Sequence, residues 1–298
     1  MTMSEEGGRK RGHGRRNATM GVKRAGAGKK LAILCDFDGT VTIEEVSVSL
    51  LKKYTGDHWL KADRDLYEGR VTLRETMKRE FSLLKAPREE MEEFVRGIHL
   101  RPGFGELVEA ARNAGVPLVI VSEGLDFYIA AFLEHHGLDV QFWTNRAIFT
   151  PEGVRVEYPY SWEECDYCGN CKYGHIINFR NEGCTTVYIG DGISDRCPAR
   201  KADILFARDG LLDFCRKEKL ACIPYEDFRD VLRSLRDRGL ISRGIVDRMP
   251  RAGGVRDAGK GGPAKGKRLR PTSICISRGG APSRRRRGSR PTRPRRTS

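Results

Sequence analysis

Long hydrophobic runs are missing from this sequence of 298 residues, and no stretch approaches the roughly 20 apolar residues of a membrane-spanning helix. Arg15 and Arg16 are not followed by an apolar segment, which argues against a secretory signal. Nine cysteines are too few for a disulfide scaffold in a chain of this length. We therefore predict a soluble, cytoplasmic protein with mostly reduced thiols and no membrane partner.

Acidic residues outnumber basic residues in the middle of the chain, although the formal net charge of the whole chain is +15. Residues 1–30 carry nine basic and two acidic side chains, and residues 251–298 carry sixteen and one. The segment 31–250 keeps 30 basic and 37 acidic side chains, a net charge of −7. Both ends are rich in Gly, Ala, Pro, Ser and Arg, and such compositions bury too little apolar surface to offset chain entropy. We predict disordered basic segments over 1–29 and 241–298.

Between these ends, short apolar segments alternate with helical patterns, which is typical of a parallel α/β sheet. The segments 31–35, 116–122 and 184–190 are predicted to be buried strands that end in polar loops. Segments 142–148 and 154–158 flank a turn and predict a hairpin. The fold class predicted is α/β, with a Rossmann-like, doubly wound parallel sheet.

Polar side chains gather where the predicted strands end. They are Asp36 and Asp38 after the first strand, Ser122 after the second, Asp191 and Asp195 after the third, and Lys172 shortly before the third. Because the carboxyl ends of parallel strands meet at one edge of a sheet, these residues can share a pocket. Several carboxylates in one pocket repel each other, and Mg²⁺ bound together with phosphate oxygens removes that conflict. The set suits phosphoryl transfer.

In order and spacing, these motifs resemble those of haloacid dehalogenase-superfamily phosphatases. The resemblance covers roughly residues 30–238 and includes the Asp-Phe-Asp-Gly-Thr motif at 36–40 and the Gly-Asp-Gly-Ile-Ser-Asp motif at 190–195. It implies a core domain formed by 30–45 and 101–240. It also implies a helical C1-type cap, inserted after the first strand over residues 46–100.

The resemblance further implies a phosphoaspartyl mechanism. Asp36 would be the nucleophile, and Asp38 would protonate the leaving oxygen and then activate water. Ser122 would bind the phosphoryl oxygens, while Lys172 would hold Asp36 and the phosphate charge. The implied Mg²⁺ site comprises Asp36, Asp38 and Asp191, with Asp195 behind it as an orienting residue.

Substrate contacts are less clearly marked in the sequence. Stretches around 171–172, 191–198 and 205–228 resemble the phosphatases acting on 2-hydroxy-3-keto-5-methylthiopentenyl-1-phosphate in methionine salvage. Phosphoserine phosphatase is the alternative, because Glu45 and Arg79 lie at or near the positions of its substrate contacts, although Arg79 is displaced by one residue. The candidate substrate-binding residues are Thr40, Glu45, Arg79, Glu123 and Gly124.

A cysteine cluster precedes Lys172. Cys165, Cys168 and Cys171 have a spacing that could bind Zn²⁺, with His175 or Cys184 as a fourth ligand. Reduced or redox-active thiols are the alternative, because zinc sites usually show four clear ligands.

Two classes of function follow from these patterns. The first is a phosphatase for a small phosphorylated metabolite. The second is a nucleic-acid or polyanion-binding protein, suggested by the arginines at 284–296. A tail without a recognisable fold would bind such partners non-specifically. Met20 is an alternative start of the protein, which would remove most of the leader.

Overall fold

The computed structural model describes residues 30–242. The predicted leader at 1–29 and nearly all of the predicted tail at 241–298 lie outside the described residues. Nucleic-acid binding through these segments therefore stays a prediction. None of the helices within the described range is long and apolar enough to cross a membrane.

The described residues contain one seven-stranded sheet. Its strands are β1 (Leu31–Cys35), β2 (Leu118–Leu125), β3 (Gln141–Thr150), β4 (Gly153–Glu157), β5 (Thr185–Gly190), β6 (Ile204–Ala207) and β7 (Ile223–Pro224). Their order is β4-β3-β2-β1-β5-β6-β7, and all neighbours are parallel except the hairpin β3-β4. The predicted mostly parallel α/β sheet and the hairpin are confirmed. The edge strand β7 was not predicted, because two residues carry no periodic signal.

Ten helices accompany this sheet within residues 30–242. They are α1 (Val46–Thr55), α2 (Leu60–Tyr67), α3 (Leu73–Phe81), α4 (Arg88–Arg96), α5 (Phe104–Asn113), α6 (Asp126–His135), α7 (Lys172–Asn181), α8 (Arg196–Ala199), α9 (Asp209–Glu218) and α10 (Phe228–Asp237). A short 3₁₀ turn, Ile193–Asp195, precedes α8.

The central strand β1 is buried on both faces. Leu31, Ile33 and Cys35 pack into one hydrophobic cluster, whereas Ala32 and Leu34 pack into another. Successive strand residues point to opposite faces, so a continuous apolar run is what a sheet covered on both sides requires. This burial explains why the doubly wound arrangement could be predicted from the sequence.

Strand β2 is longer than predicted. It extends to Leu125, and its pairing with β3 becomes irregular between Val121 and Leu125. Ser122 and Gly124 were expected in a loop, but they lie in this irregular end of the strand. An irregularity of this kind redirects side chains, which is why such features occur next to active sites.

The helices α1–α4 form an insertion between β1 and β2. Its two connections run side by side, because Thr42 pairs with Leu100 in an isolated antiparallel bridge. The Ile43 amide also donates to the His99 carbonyl oxygen over 2.9 Å. The insertion therefore leaves and rejoins the core through one narrow neck.

A buried arginine braces the chain at this neck. Arg101 is only 7% exposed, and its guanidinium group donates to the carbonyl oxygens of Gly39, Thr40 and Thr42 over 2.6, 2.8 and 3.0 Å. The planar guanidinium presents its donors in a fixed fork, which suits several oxygens at once. Arg101 thus fixes the backbone that follows Asp36.

We expect Arg101→Lys to lower the free energy of unfolding by about 2 kcal/mol or more, because buried carbonyl groups would lose their donors. Chemical denaturation measures this loss. Arg96→Lys is the matched control, because Arg96 makes only a surface ion pair with Glu93 and should change stability by less than about 0.5 kcal/mol. Equal losses in the two variants would contradict the bracing role.

Candidate active site

The loop after β1 turns sharply at Gly39, whose φ of +70° lies in the left-handed region. A Cβ atom at this position would lie 2.6 Å from both Asp191 Oδ2 and Glu45 Oε1. Real Cβ atoms do not come so close to other atoms. Glycine at position 39 therefore lets the β1 loop approach the β5 loop and the start of the insertion.

Three carboxylates meet where β1 and β5 end. Asp36, Asp191 and Asp195 are buried, and each offers one oxygen within 4.8 Å of the others. Lys172, at the start of α7, places Nζ 2.7 Å from Asp36 Oδ2 and 2.8 Å from Asp195 Oδ1. The structure thus brings together four residues that are up to 159 positions apart, as the strand order predicts.

The Asp195 carboxylate accepts hydrogen bonds that hold the residues of the site in place. Its Oδ2 accepts hydrogen bonds from the amides of Asp191 and Gly192, each over 2.9 Å. Its Oδ1 accepts from Lys172 Nζ and from the Tyr188 hydroxyl, over 2.8 and 2.5 Å. Both oxygens are occupied by protein donors, so the geometry matches the orienting role expected for this residue.

The electrostatics of the cluster reflect crowding of negative charge. Burial, followed by repulsion from Asp195, raises the pKa of Asp36 well above its usual range. The same two causes raise the pKa of Asp191 to about 7. Burial alone would raise the pKa of Asp195 too, but Lys172 and the hydrogen bonds to Asp195 lower it. Burial would lower the pKa of Lys172, yet Asp195 and Asp36 raise it, which keeps the ammonium group charged.

Asp38 is held by donors outside this cluster. Its Oδ1 accepts from the Ser47 amide over 3.0 Å, in the first turn of α1, and its Oδ2 accepts from the Tyr128 hydroxyl over 2.8 Å. The Asp38 carboxylate does not belong to the group formed by Asp36, Asp191 and Asp195. The prediction that Asp38 is a metal ligand stays a prediction, and both of its carboxylate oxygens accept hydrogen bonds from protein donors.

Two residues predicted to belong to the site have buried hydroxyl groups. Ser122 is 1% exposed, and its Oγ accepts from the Gly124 amide over 2.9 Å. Thr40 is fully buried, and its hydroxyl donates to Asp191 Oδ1. This contact orients the Asp191 carboxylate, and substrate binding by Thr40 stays a prediction.

Glu123 was also predicted to bind substrate, yet its carboxylate faces the loop that leads to Lys172. Oε2 accepts from the amides of Gly169 and Asn170, each over 3.1 Å. Asn170 in turn donates through Nδ2 to the carbonyl oxygens of Ser122 and Trp143, over 2.8 and 2.7 Å. These bonds fasten the loop to β2 and β3, two residues before Lys172.

The insertion contributes one carboxylate near the site. Desolvation, with repulsion from Asp38 and Asp191, raises the pKa of Glu45 to about 8, although this side chain keeps contact with solvent. Arg79 is placed differently: its Nε lies 2.9 Å from Glu75 Oε1, and its Nη1 lies 3.5 Å from Asp65 Oδ2. Arg79 therefore belongs to an exposed ion-pair network of α2 and α3.

The three cysteines before Lys172 do not converge as zinc ligands do. Within residues 30–242, Asp36, Asp191 and Asp195 form the one group of three or more ligand atoms close enough to share a metal. Cys165, Cys168 and Cys171 are free thiols. The proposed fourth ligand His175 instead makes a 2.7 Å hydrogen bond to Asn170 Oδ1, and Cys184 lies directly before β5. Nothing in this arrangement supports zinc.

Sequence reasoning missed three residues that support the site. Tyr188 lies in β5, and Tyr128 lies in α6, so from the sequence each looks like an ordinary aromatic residue of the hydrophobic core. Asn170 lies in the loop before α7. Its position two residues before the predicted catalytic lysine was the one available signal for a supporting role.

Comparison with known proteins agrees with this geometry. A family profile described as haloacid dehalogenase-like hydrolase matches residues 33–200. A relative from Bacillus velezensis, named 2-hydroxy-3-keto-5-methylthiopentenyl-1-phosphate phosphatase, is 32% identical over 211 residues, which are 70% of this chain and 90% of the relative. A relative of the same name from Geobacillus kaustophilus is 33% identical over 211 residues, which are 70% of this chain and 96% of the relative.

Solved structures of phosphoserine phosphatase are also similar. One, described as a phospho-aspartyl intermediate analogue, has a TM-score of 0.55 and 27% identity, and covers 69% of this chain and 99% of that one. A substrate-bound complex has a TM-score of 0.54 and 26% identity, and the match covers 69% of this chain and 98% of the chain in the complex. The chain belongs to the haloacid dehalogenase-like hydrolases. The predicted family, fold and class of enzyme, a phosphoric monoester hydrolase, are confirmed.

We expect Glu123→Ala to release the loop before Lys172, because the Gly169 and Asn170 amides would lose their acceptor. Hydrogen–deuterium exchange should then accelerate in the peptide that contains residues 165–171. Glu123→Gln keeps an oxygen at this position and should largely preserve protection. Glu164→Ala, an exposed change in the same loop, is the control, and faster exchange in that variant alone would contradict the clamp.

Proposed function

We propose that this protein is a Mg²⁺-dependent phosphomonoesterase that acts through a phosphoaspartate on Asp36. The observation that carries the proposal is the convergence of Asp36, Asp191 and Lys172 at one edge of the sheet. A nucleophilic carboxylate, a metal-binding carboxylate and a fixed ammonium group are what attack on a charged phosphoryl group requires.

The donor set fits Mg²⁺. Asp36 and Asp191 offer hard carboxylate oxygens, and burial followed by repulsion from Asp195 raises their pKa values, a repulsion that a bound cation would offset. We propose these two residues as ligands, with Asp195 holding the Asp191 loop in place. When bound, Mg²⁺ would neutralise the ligand carboxylates and draw charge from the phosphoryl oxygens.

The protein groups can perform the reaction in two steps. In the first, an Asp36 oxygen attacks phosphorus, the ester P–O bond breaks, and Asp38 gives its proton to the leaving oxygen. In the second, Asp38 removes a proton from water, the water oxygen attacks phosphorus, and the bond to Asp36 breaks to release inorganic phosphate. Ser122 and Lys172 bind the phosphoryl oxygens in both steps.

The proposed substrate is a small phosphate ester, with 2-hydroxy-3-keto-5-methylthiopentenyl-1-phosphate as the first candidate. Relatives that bear this name match over 90% or more of their own length. Phosphoserine is the second candidate, because solved phosphoserine phosphatases share the fold. We propose that the insertion at 46–100 acts as the cap that contacts the leaving group, since Glu45 directly before it and Ser47 in its first turn already reach the site.

Asp36→Asn should abolish Mg²⁺-dependent phosphate release, by at least about 1,000-fold, because an amide cannot replace the nucleophilic carboxylate. The measurement is phosphate release from the two candidate esters with Mg²⁺ or with EDTA. Asp213→Asn is the control, since Asp213 forms only an exposed ion pair with Arg216. Hydrolysis that survives EDTA or the Asp36 substitution would refute the proposed mechanism.

Arg79→Ala should leave KM for phosphoserine within about twofold of the wild-type value, because a guanidinium already paired with Glu75 and Asp65 contributes little to binding a substrate carboxylate. Steady-state kinetics with phosphoserine and with the methylthio ester check this. A rise in KM of tenfold or more for phosphoserine, without a change for the other ester, would assign carboxylate recognition to Arg79.

A further inference from the structure

The Asp38 carboxylate is held by two donors from different parts of the chain. The Ser47 amide in the first turn of α1 donates to Oδ1 over 3.0 Å, and the Tyr128 hydroxyl in α6 donates to Oδ2 over 2.8 Å. A carboxylate with one donor on each oxygen cannot rotate freely. Its remaining lone pairs therefore point in fixed directions.

In this contact the Tyr128 hydroxyl donates and Asp38 Oδ2 accepts, so the hydrogen bond joins two residues that lie 90 positions apart in the sequence.

The space for this contact depends on Gly124. A Cβ atom at position 124 would lie 1.9 Å from the Tyr128 hydroxyl oxygen and 3.0 Å from Asp38 Oδ2. Any larger residue would occupy the volume in which the two groups meet. Gly124, which was predicted to bind substrate, thus has a second use in admitting the tyrosine hydroxyl to the site.

Packing alone does not account for a tyrosine at position 128. Its ring is fully buried and lies 6.1 Å from the Phe37 ring and 5.5 Å from the Phe127 ring, contacts that a phenylalanine would also make. A buried hydroxyl without a partner costs free energy, so it is retained only where it has a partner. The partner to which this hydroxyl donates is Asp38.

We propose that Tyr128 is a positioning residue for proton transfer by Asp38, a role that rests on the proposed phosphatase function. By holding Oδ2, Tyr128 directs the carboxyl group towards the ester oxygen and then towards the attacking water. In the first step the Asp38 proton moves to the leaving oxygen, and the carboxylate so formed keeps the Tyr128 and Ser47 hydrogen bonds. In the second step that carboxylate takes a proton from water.

Tyr128→Phe tests the role with two probes of similar shape, phenyl phosphate and p-nitrophenyl phosphate. Phenol has a pKa of about 10, so the phenolate is basic and benefits from protonation as it leaves. p-Nitrophenolate leaves readily without a proton. We expect formation of the phosphoenzyme to slow roughly tenfold or more with phenyl phosphate and to stay within about twofold with p-nitrophenyl phosphate. Water activation in the second step also needs Asp38. With p-nitrophenyl phosphate, the variant should therefore release one equivalent of p-nitrophenol per active site in a burst, and then turn over slowly because the phosphoenzyme is hydrolysed slowly.

Two further variants set the scale of the effect. Asp38→Asn should show the same discrimination between the probes, to a larger extent. Tyr54→Phe removes a hydroxyl that donates to the Glu90 carbonyl oxygen, away from Asp38, and should leave both probes unchanged. The burst amplitude reports the folded, active fraction, which separates misfolding from mispositioning.

The outcomes distinguish the two levels of the proposal. If wild-type protein hydrolyses neither probe nor the candidate esters, the phosphatase function fails, and the role of Tyr128 fails with it. If the wild type is active but Tyr128→Phe slows phosphoenzyme formation from both probes equally, or from neither, the positioning role alone is overturned. A selective loss with phenyl phosphate, together with a full burst from p-nitrophenyl phosphate, supports it.

Discussion

The ammonium group of Lys172 lies between two buried carboxylates, and the arrangement of the site depends on this contact. At separations near 4 Å, a pair of unit charges interacts by about 4 kcal/mol when the effective dielectric constant is 20. One lysine can offset one of the three carboxylates of Asp36, Asp191 and Asp195, so the cluster keeps an excess of negative charge. Burial and then repulsion from Asp195 raise the pKa values of Asp36 and Asp191, and a divalent cation would relieve that repulsion.

Several charged side chains around the cluster form hydrogen bonds to main-chain groups and hold the backbone in place. Asp195 binds the amides of its own loop, Arg101 binds the carbonyl groups that follow Asp36, and Glu123 binds the amides of the loop before Lys172. The Arg101 and Glu123 contacts join segments that are distant in sequence, whereas the Asp195 contacts hold its own loop. The catalytic groups are consequently held by loops whose positions are fixed from several directions, as precise phosphoryl transfer requires.

The sheet, the hairpin and the clustering of Asp36, Asp191 and Lys172 could be predicted because they depend on short apolar runs and on which residues follow them. The directions of Asp38 and Glu123 could not. They depend on the Ser47 and Gly169 amides, whose positions are set only when the insertion and the loop fold against the core. Strand β2 was predicted too short for a similar reason, since its last residues are polar and pair irregularly with β3.

The neck at Thr42 and Leu100 bears on how such enzymes diversify. An insertion joined to a sheet at adjacent positions can vary in length and sequence without shifting the strands that carry the nucleophile. Its contacts with the core limit that freedom, because the Ser47 amide holds the carboxylate of Asp38, and Arg74 in α3 donates to the Cys168 carbonyl oxygen over 2.7 Å. Natural or engineered exchange of the insertion would thus have to preserve both of these contacts.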